Sequence, residues 1–171
     1  VDIAQMNQIT NCAEHKALAR ECAQKTIVLL ENNGILPLKE NLKIAVIGPN
    51  ATELPYGGYT CEPKYPGVTI LDGIKNYMVD KGEVLYAEGC RYATTPGAFW
   101  GNDNNKKEDP KVNEQLMQQA VAVAKKADVI ILCIGENESF SREAWGEYHR
   151  GDRDNLDFRE PQTELMQRLK A

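Results

Sequence analysis

The sequence predicts an α/β protein with a doubly wound, mainly parallel sheet and helices on both faces of that sheet. Three short apolar segments, at 43–47, 83–87 and 129–134, have the length and composition of strands. Segments with helical periodicity precede or follow them, at about 14–31, 70–80, 111–126 and 161–170. Strands that alternate with helices at this spacing form parallel sheets, because each helix returns the chain to the same edge.

Each element has its own signal in the chain. In the first helix, apolar residues recur at helical spacing, and Asn32-Asn33-Gly34 supplies a stop; the apolar residues are Ala19, Ala23, Ile27 and Leu30. The run from 129 to 134 is continuously apolar, which predicts a strand buried on both faces. Pro161 is expected at the first position of the last helix. A doubly wound sheet would continue with another strand after that helix, so we expect the chain to be part of a larger domain.

Composition limits the class of protein. With 42% hydrophobic and 26% charged residues, the chain is expected to form a single globular domain over residues 1–171. The formal charge of −5 argues against a nucleic-acid or anionic-membrane surface as partner. No apolar run is long enough to cross a membrane, and the first residues lack the features of a signal peptide.

The long polar segment after the third strand is the strongest functional signal. Four carboxylates are interleaved there with aromatic residues; they are Glu136, Glu138, Glu143 and Glu147, with Phe140, Trp145 and Tyr148. Long loops at the carboxyl end of a buried strand often carry function. Rings that stack on sugar faces, beside acids that donate protons, suit a polyhydroxylated ligand. A solvated acidic loop is the alternative, and the residues alone leave the two open.

Other kinds of site are disfavoured. Gly48 follows the first strand in IAVIGPNA, but the chain lacks the GxGxxG and GK[ST] patterns that cradle phosphates. The five cysteines show no CxxC spacing, and the two histidines lie far apart. We therefore expect no metal and no cofactor.

Several phrases together resemble glycoside hydrolase family 3, the β-glucosidase and β-xylosidase group. The first is VLLEN at 28–32, followed by LPL at 36–38 and VIGPNA at 46–51. Later matches are YGGY at 56–59, ADV at 127–129 and Gly135-Glu136. The last runs from Asp152-Arg153 through Leu156 to Gln162 and Leu165. The resemblance covers nearly the whole chain and points to the second, C-terminal α/β sandwich domain of that family, apparently truncated.

The resemblance implies a retaining mechanism divided between two domains. The family's nucleophile is an Asp on a preceding barrel domain, which is missing from this chain, and its general acid/base is a Glu on a loop of the second domain. The spacing from Gly135-Glu136 to Glu143-Ala144 matches one branch of the family and favours Glu143 as the acid/base, with Glu147 as runner-up. Trp145 and Tyr148 are candidate sugar contacts, and Glu136, Asp152 and Arg153 are candidate structural anchors of the loop.

Three functions remain in competition at this stage. The first is a fragment of a retaining β-glycosidase, inactive alone, whose partners are a β-linked glucoside, xyloside or oligosaccharide and the missing barrel domain. The second is a non-catalytic carbohydrate-binding or structural module, and the third is a nucleotide-binding α/β domain. The resemblance suits a periplasmic or extracellular parent enzyme. In such a compartment Cys61 and Cys90, which each follow a strand, could form a disulfide, and the sequence leaves this open.

Overall fold

The computed structural model describes residues 2–56, 67–94, 106–137 and 152–170. The helices in these ranges are α1 (Ile3–Ile9), α2 (Ala13–Thr26), α3 (Ile70–Met78), α4 (Pro110–Ala124) and α5 (Gln162–Lys170). The strands are β1 (Lys43–Ile47), β2 (Glu83–Ala87) and β3 (Val129–Leu132). The chain divides into two compact units, Val1–Leu38 with α1 and α2, and Lys39–Ala171 with the sheet. That residues 1–171 form one domain stays a prediction.

The three strands form one parallel sheet in the order β2-β1-β3. Ile44 of β1 lies opposite Val84 on one side and Val129 on the other. From β1 the chain crosses through α3 to β2, and from β2 it crosses back through α4 to β3. Because both crossovers follow the right-handed rule while running in opposite directions, α3 and α4 cover opposite faces. The predicted fold class is confirmed.

The core lies on both sides of β1. Ala45 and Ile47 belong to one buried cluster, which α4 and α5 complete; their contributions are Met117, Ala120 and Leu165. Ile44 and Val46 alternate with these residues and are also buried, so they face the opposite side of the sheet. The burial of β1 on both faces makes it the rigid support of whatever follows the strands at their carboxyl ends.

Local signals place the helix starts close to the predicted positions. Thr69 caps α3 by accepting a 3.0 Å hydrogen bond from the backbone N–H of Asp72. Asp109 caps α4 in the same way, and Pro110 occupies the first turn, where its missing N–H costs nothing. Helix α5 begins at Gln162, one residue after the predicted Pro161. None of the helices in the described ranges is long and apolar enough to cross a lipid bilayer.

The predicted first helix is wrong at its carboxyl end. It was expected to run to about residue 31, but α2 ends at Thr26, and Ile27 is already extended. Thr26, Ile27 and Val28 are three consecutive β-branched residues, which are poor helix formers because their side chains crowd the preceding turn. The apolar stripe predicted to include Ile27 and Leu30 is therefore not a helical face, and Leu30 is 93% exposed.

The prediction for β3 is also partly wrong. The strand ends at Leu132 rather than at residue 134, and Ile130 is 37% exposed rather than buried. The reason is topological: β1 is the central strand of the described sheet, and β3 has a hydrogen-bonded neighbour on one side within it. An apolar run identifies a strand, but it does not specify the position of that strand in the sheet.

Candidate functional site

The carboxyl ends of β1 and β3 meet through backbone contacts. The N–H of Cys133 donates to the carbonyl of Ile47, and the N–H of Asn50 donates to the carbonyl of Cys133 at 3.2 Å. Gly48 lies between them with φ 129° and ψ 156°, a conformation open essentially to glycine alone. A Cβ at this position would stand 2.1 Å from the carbonyl oxygen of Cys133. The close packing of the strand ends thus accounts for a glycine at position 48. After it, the chain forms one turn of 3-10 helix, Pro49–Ala51.

Asn50 links this turn to the residues that follow β3. Its side-chain Nδ2 donates to the carbonyl of Gly135 at 3.2 Å, and its Oδ1 accepts from Nδ2 of Asn137 at 2.6 Å. Together with its backbone bond to Cys133, the residue contacts three positions after the strand. Asn50 therefore joins the turn after β1 to the first residues after β3.

Gln162 holds the same peptide from the other side. Its Oε1 accepts a 2.8 Å hydrogen bond from the N–H of Gly135, and the side chain is fully buried at the start of α5. Its Nε2 is buried too and has no acceptor among the described residues. A buried amide costs free energy unless it is hydrogen-bonded, so the bond to Gly135 offsets part of that cost.

Arg153 connects the two ends of the long segment. Its Nη1 lies 3.1 Å from Oε1 of Glu136, close enough for an ion pair although its N–H groups are not aligned for a hydrogen bond. Its Nη2 donates to Oδ1 of Asn155 at 3.0 Å and to the carbonyl of Asp157. Asp152 precedes it with φ 43°, a left-handed conformation that Asp tolerates better than most residues. The structure thus brings Glu136 and Arg153 together, and Asp152 turns the chain beside them.

The other predicted site residues lie outside the described ranges. This applies to both candidate acids and both candidate sugar contacts: Glu143, Glu147, Trp145 and Tyr148. Their roles stay predictions. Within the described ranges, no group of three or more His, Cys, Asp or Glu side chains is arranged to hold a metal ion.

A second network secures the loop after β2. Arg91 forms two 2.7 Å bonds with the carboxylate of Glu88 and a 3.3 Å contact with Glu108. Its backbone N–H and carbonyl both bond to the buried side chain of Asn113 on α4, at 2.7 and 2.9 Å. The hydrogen bonds to Glu88 and Glu108 raise the pKa of Arg91. The network fixes the loop to the helix rather than leaving charges free for a ligand.

A shallow groove of about 280 Å³ lies beside that network. Its walls combine apolar surface with four carboxylates, those of Glu108, Glu114, Glu160 and Glu164. Arg168 neutralises part of this charge, because it contacts Glu114 at 2.6 Å and Glu164 as well. The hydrogen bonds from Arg168 and Gln118 lower the pKa of Glu114 to about 2. The groove therefore contains ion pairs between α4 and α5, which have a structural explanation.

The cysteines give no sign of a disulfide in the described ranges. Cys90 is a free, buried thiol, which contradicts a bond between Cys61 and Cys90; Cys61 itself lies outside the described residues. Burial is the main cause that raises the pKa of Cys90 to about 12, and it also raises the pKa of Cys133. Both thiols are thus protonated at neutral pH and behave as small apolar core residues.

Sequence reasoning missed Asn50 and assigned no role to Gln162. Asn50 could have been suspected, because a polar residue directly after a buried strand lies at the edge where α/β sheets bind ligands. Gln162 could have been noticed as a polar residue at the start of a predicted helix. Neither position reveals its partner, since Gly135 is 85 residues away from Asn50 and 27 from Gln162.

The fold defines a class: a parallel α/β sheet with helices around it, in which the strands β1 and β3 end beside each other. The chain belongs to glycoside hydrolase family 3, because residues 27–171 match the family model for the glycosyl hydrolase family 3 C-terminal domain. That assignment confirms the family resemblance described above.

Relatives of known name agree with this assignment. The chain is 33% identical over 164 residues to a periplasmic β-glucosidase of Salmonella typhimurium, covering 92% of this chain and 21% of the relative. It is 32% identical to a β-xylosidase of Formosa agariphila, covering 94% and 20%. A solved β-glucosidase structure from Erythrobacter marinus superposes with a TM-score of 0.81 at 39% identity, over 99% of this chain and 24% of that one. The chain thus spans about a fifth of the length of the curated relatives it matches.

Proposed function

We propose that this chain is part of a retaining β-glycosidase and supplies the general acid/base from the segment after β3. The observation that carries the proposal is the spacing from Gly135-Glu136 to Glu143-Ala144, directly downstream of a strand end held by Asn50 and Gln162. Glu143 is the proposed acid/base, Glu147 its runner-up, and Trp145 and Tyr148 the proposed sugar contacts. The substrate is a β-linked glucoside or xyloside, in keeping with the names of the relatives, a β-glucosidase and a β-xylosidase.

The proposed chemistry needs a second carboxylate from elsewhere. In a retaining glycosidase one carboxylate attacks the anomeric carbon while the other protonates the leaving oxygen and then activates water. The two carboxyl groups stand about 5–5.5 Å apart. We infer that the nucleophile comes from a barrel domain of the same, longer polypeptide, since the relatives are several times as long as this chain. The relative named periplasmic supports an extracytoplasmic parent enzyme.

The first unit offers support for such a partner. Apolar side chains of α1 recur on one face and are exposed, namely Ile3, Met6 and Ile9, and the extended run from Ile27 to Leu30 is exposed as well. Exposed apolar residues in such number are typical of interaction surfaces. The family match begins only at residue 27, so α1 and the whole of α2, which ends at Thr26, precede the matched C-terminal domain. We infer that they pack against the barrel domain.

The test is Glu143→Gln in the complete polypeptide. Loss of a general acid costs about 10²–10⁴-fold in rate, so turnover should fall by this factor for substrates with poor leaving groups. The loss should be much smaller in the glycosylation step for activated phenols, which depart unprotonated. Azide should partly restore turnover, because it attacks the glycosyl-enzyme without a general base.

Glu147→Gln is the matched control in the same segment. It should retain both the leaving-group profile and the azide response of the unaltered enzyme. If Glu147→Gln carries the leaving-group dependence and the azide rescue while Glu143→Gln does not, the two roles are exchanged. If neither variant shows them, the general acid/base is not in this segment.

A further inference from the structure

We propose that Asn50, Gln162 and Arg153 form a clamp that positions the general acid/base by holding both ends of the segment 138–151. This inference rests on the proposed function, because it concerns how the same segment is aimed. The three residues come from the turn after β1, from the start of α5 and from the far end of the segment. They are positioning residues and need not touch the substrate.

At the entry to the segment, one residue is held through both of its backbone polar groups. The N–H of Gly135 donates to Gln162 at 2.8 Å, and its carbonyl accepts from Asn50 at 3.2 Å. Gly135 has φ 140°, so only a glycine makes this turn without strain. Asn137 is then bound to Asn50 at 2.6 Å, which extends the restraint two residues further.

Burial makes this restraint stiff. Gln162 is fully buried, so its side chain cannot rotate to follow a displaced loop without leaving the N–H of Gly135 unpaired. Asn50 is anchored in turn by its backbone bond to Cys133, beside the tightly packed Gly48. The entry to the segment is therefore held in place by groups that are anchored in the core of the sheet, and not by solvent-exposed groups.

At the exit, Arg153 ties the chain back to the entry. Its side chain is only 16% exposed, and it lies 3.1 Å from the carboxylate of Glu136. The second arm of the guanidinium bonds to Asn155 and to the carbonyl of Asp157. A rigid, forked group of this kind fixes two directions at once, which a lysine could not do. The two ends of the segment are thereby held beside each other.

Such a clamp bears on chemistry because proton transfer tolerates little displacement. A general acid must come within about 2.6–3.2 Å of the leaving oxygen. A misplacement of about 1 Å can cost about 10²-fold in rate. Glu143 follows Asn137 by six residues in the sequence, so we expect a displacement at the clamp to displace Glu143 as well.

The test replaces the acceptor at the buried end of the clamp in the complete polypeptide. Gln162→Met keeps the volume but removes the acceptor for Gly135. We expect kcat/KM for a phenyl β-glycoside to fall about 10–100-fold, the range that a displacement of this size produces. The loss for a dinitrophenyl β-glycoside should be markedly smaller, with kcat rather than KM carrying the change. Gln167→Met, at an exposed position of the same helix, is the control and should leave both substrates unaffected.

A double-mutant cycle separates positioning from a general loss of structure. If the clamp acts through the general acid, adding Gln162→Met to Glu143→Gln should cause little further loss, because the group it positions is already gone. A loss that is equal for all leaving groups and persists in the Glu143→Gln background would overturn the clamp. If Gln162→Met does not fold, Asn50→Asp carries the same test, since it sets a carboxylate oxygen against the carbonyl of Gly135.

The outcomes distinguish this inference from the proposed function. A normal Glu143→Gln signature, with Gln162→Met and Asn50→Asp both indistinguishable from Gln167→Met, would reject the clamp alone. A Glu143→Gln variant without leaving-group dependence would reject the proposed function, and the clamp with it.

Discussion

At the scale of single residues, the glycine after β1 illustrates how packing can restrict a position to one amino acid. Gly48 combines a backbone conformation that other residues rarely adopt with a carbonyl group directly where a side chain would begin. Either feature alone would disfavour substitution. Together they mean that the strand ends cannot move to accept a side chain without a large cost in free energy. Gly48 lies in the sequence IAVIGPNA, where a glycine after a strand could indicate a nucleotide-binding site. In the structure, its surroundings are those of a packing contact between strand ends.

We expect Gly48→Ala to lower the free energy of unfolding by about 3 kcal/mol, the upper end of the cost of a residue held in this backbone region. The clash with the carbonyl of Cys133 adds to the strain. Urea unfolding followed by circular dichroism measures the change. Gly73→Ala is the control: it lies inside α3 with only an ordinary 3.8 Å contact, so it should stabilise the protein by about 0.5–1 kcal/mol. Equal effects of the two substitutions would contradict the packing argument.

At the scale of elements, α4 and α5 are joined by both apolar and ionic contacts. Met117 and Leu165 belong to the core cluster, and Arg168 spans Glu114 on α4 and Glu164 on its own helix. The apolar contacts exclude water and contribute most of the stability, while exposed ion pairs contribute little and are screened by salt. The contribution of the ion pair between Arg168 and Glu114 should therefore be detected mainly through the pH dependence of the stability.

The direction of that dependence follows from the lowered pKa. Glu114 titrates at about 2 in the folded protein, below its ordinary value of 4.5, so the folded state favours the charged form. The stability it contributes is fully present above pH 4.5 and is lost as the pH falls through about 2.

We expect Arg168→Gln to lower Tm near neutral pH, and the difference from the unaltered protein to shrink over this acid range. Thermal unfolding at several pH values measures it, with Lys111→Gln on α4 as a charge-matched control. A difference that does not change with pH would speak against the ion pair.

At the scale of the whole molecule, the proposed function divides the active site between this chain and another domain. Asn50, Gln162 and Arg153 contact the residues that directly follow β3, and the proposed acid/base comes a few residues later in the sequence. The proposed nucleophile belongs to a domain that the matched relatives are long enough to contain, since this chain covers only 20–21% of them. The exposed apolar residues of the first unit agree with the proposal that a second domain carries the nucleophile and packs against this chain.

We expect the 171-residue chain by itself to hydrolyse aryl β-glucosides and β-xylosides at no useful rate. Removing one of two cooperating carboxylates forfeits most of the catalysis, because the residues act as a unit. Release of nitrophenol by the purified chain, compared with the complete polypeptide at equal molar concentration, measures the difference. Robust turnover by the chain alone would defeat the assignment of the nucleophile to another domain.

Local patterns in the sequence determined the family, the fold class and most of the elements. β1 and β2 fall where their apolar runs predict, and the starts of α3 and α4 agree with the predicted helices within a residue, because strand and helix signals lie within a few neighbouring residues. Only the tertiary structure decided that β1 rather than β3 is the buried central strand, and that Asn50 and Gln162 meet at Gly135. Those facts depend on which distant segments become neighbours, and periodicity along the chain carries no information about partners 27 or 85 residues away.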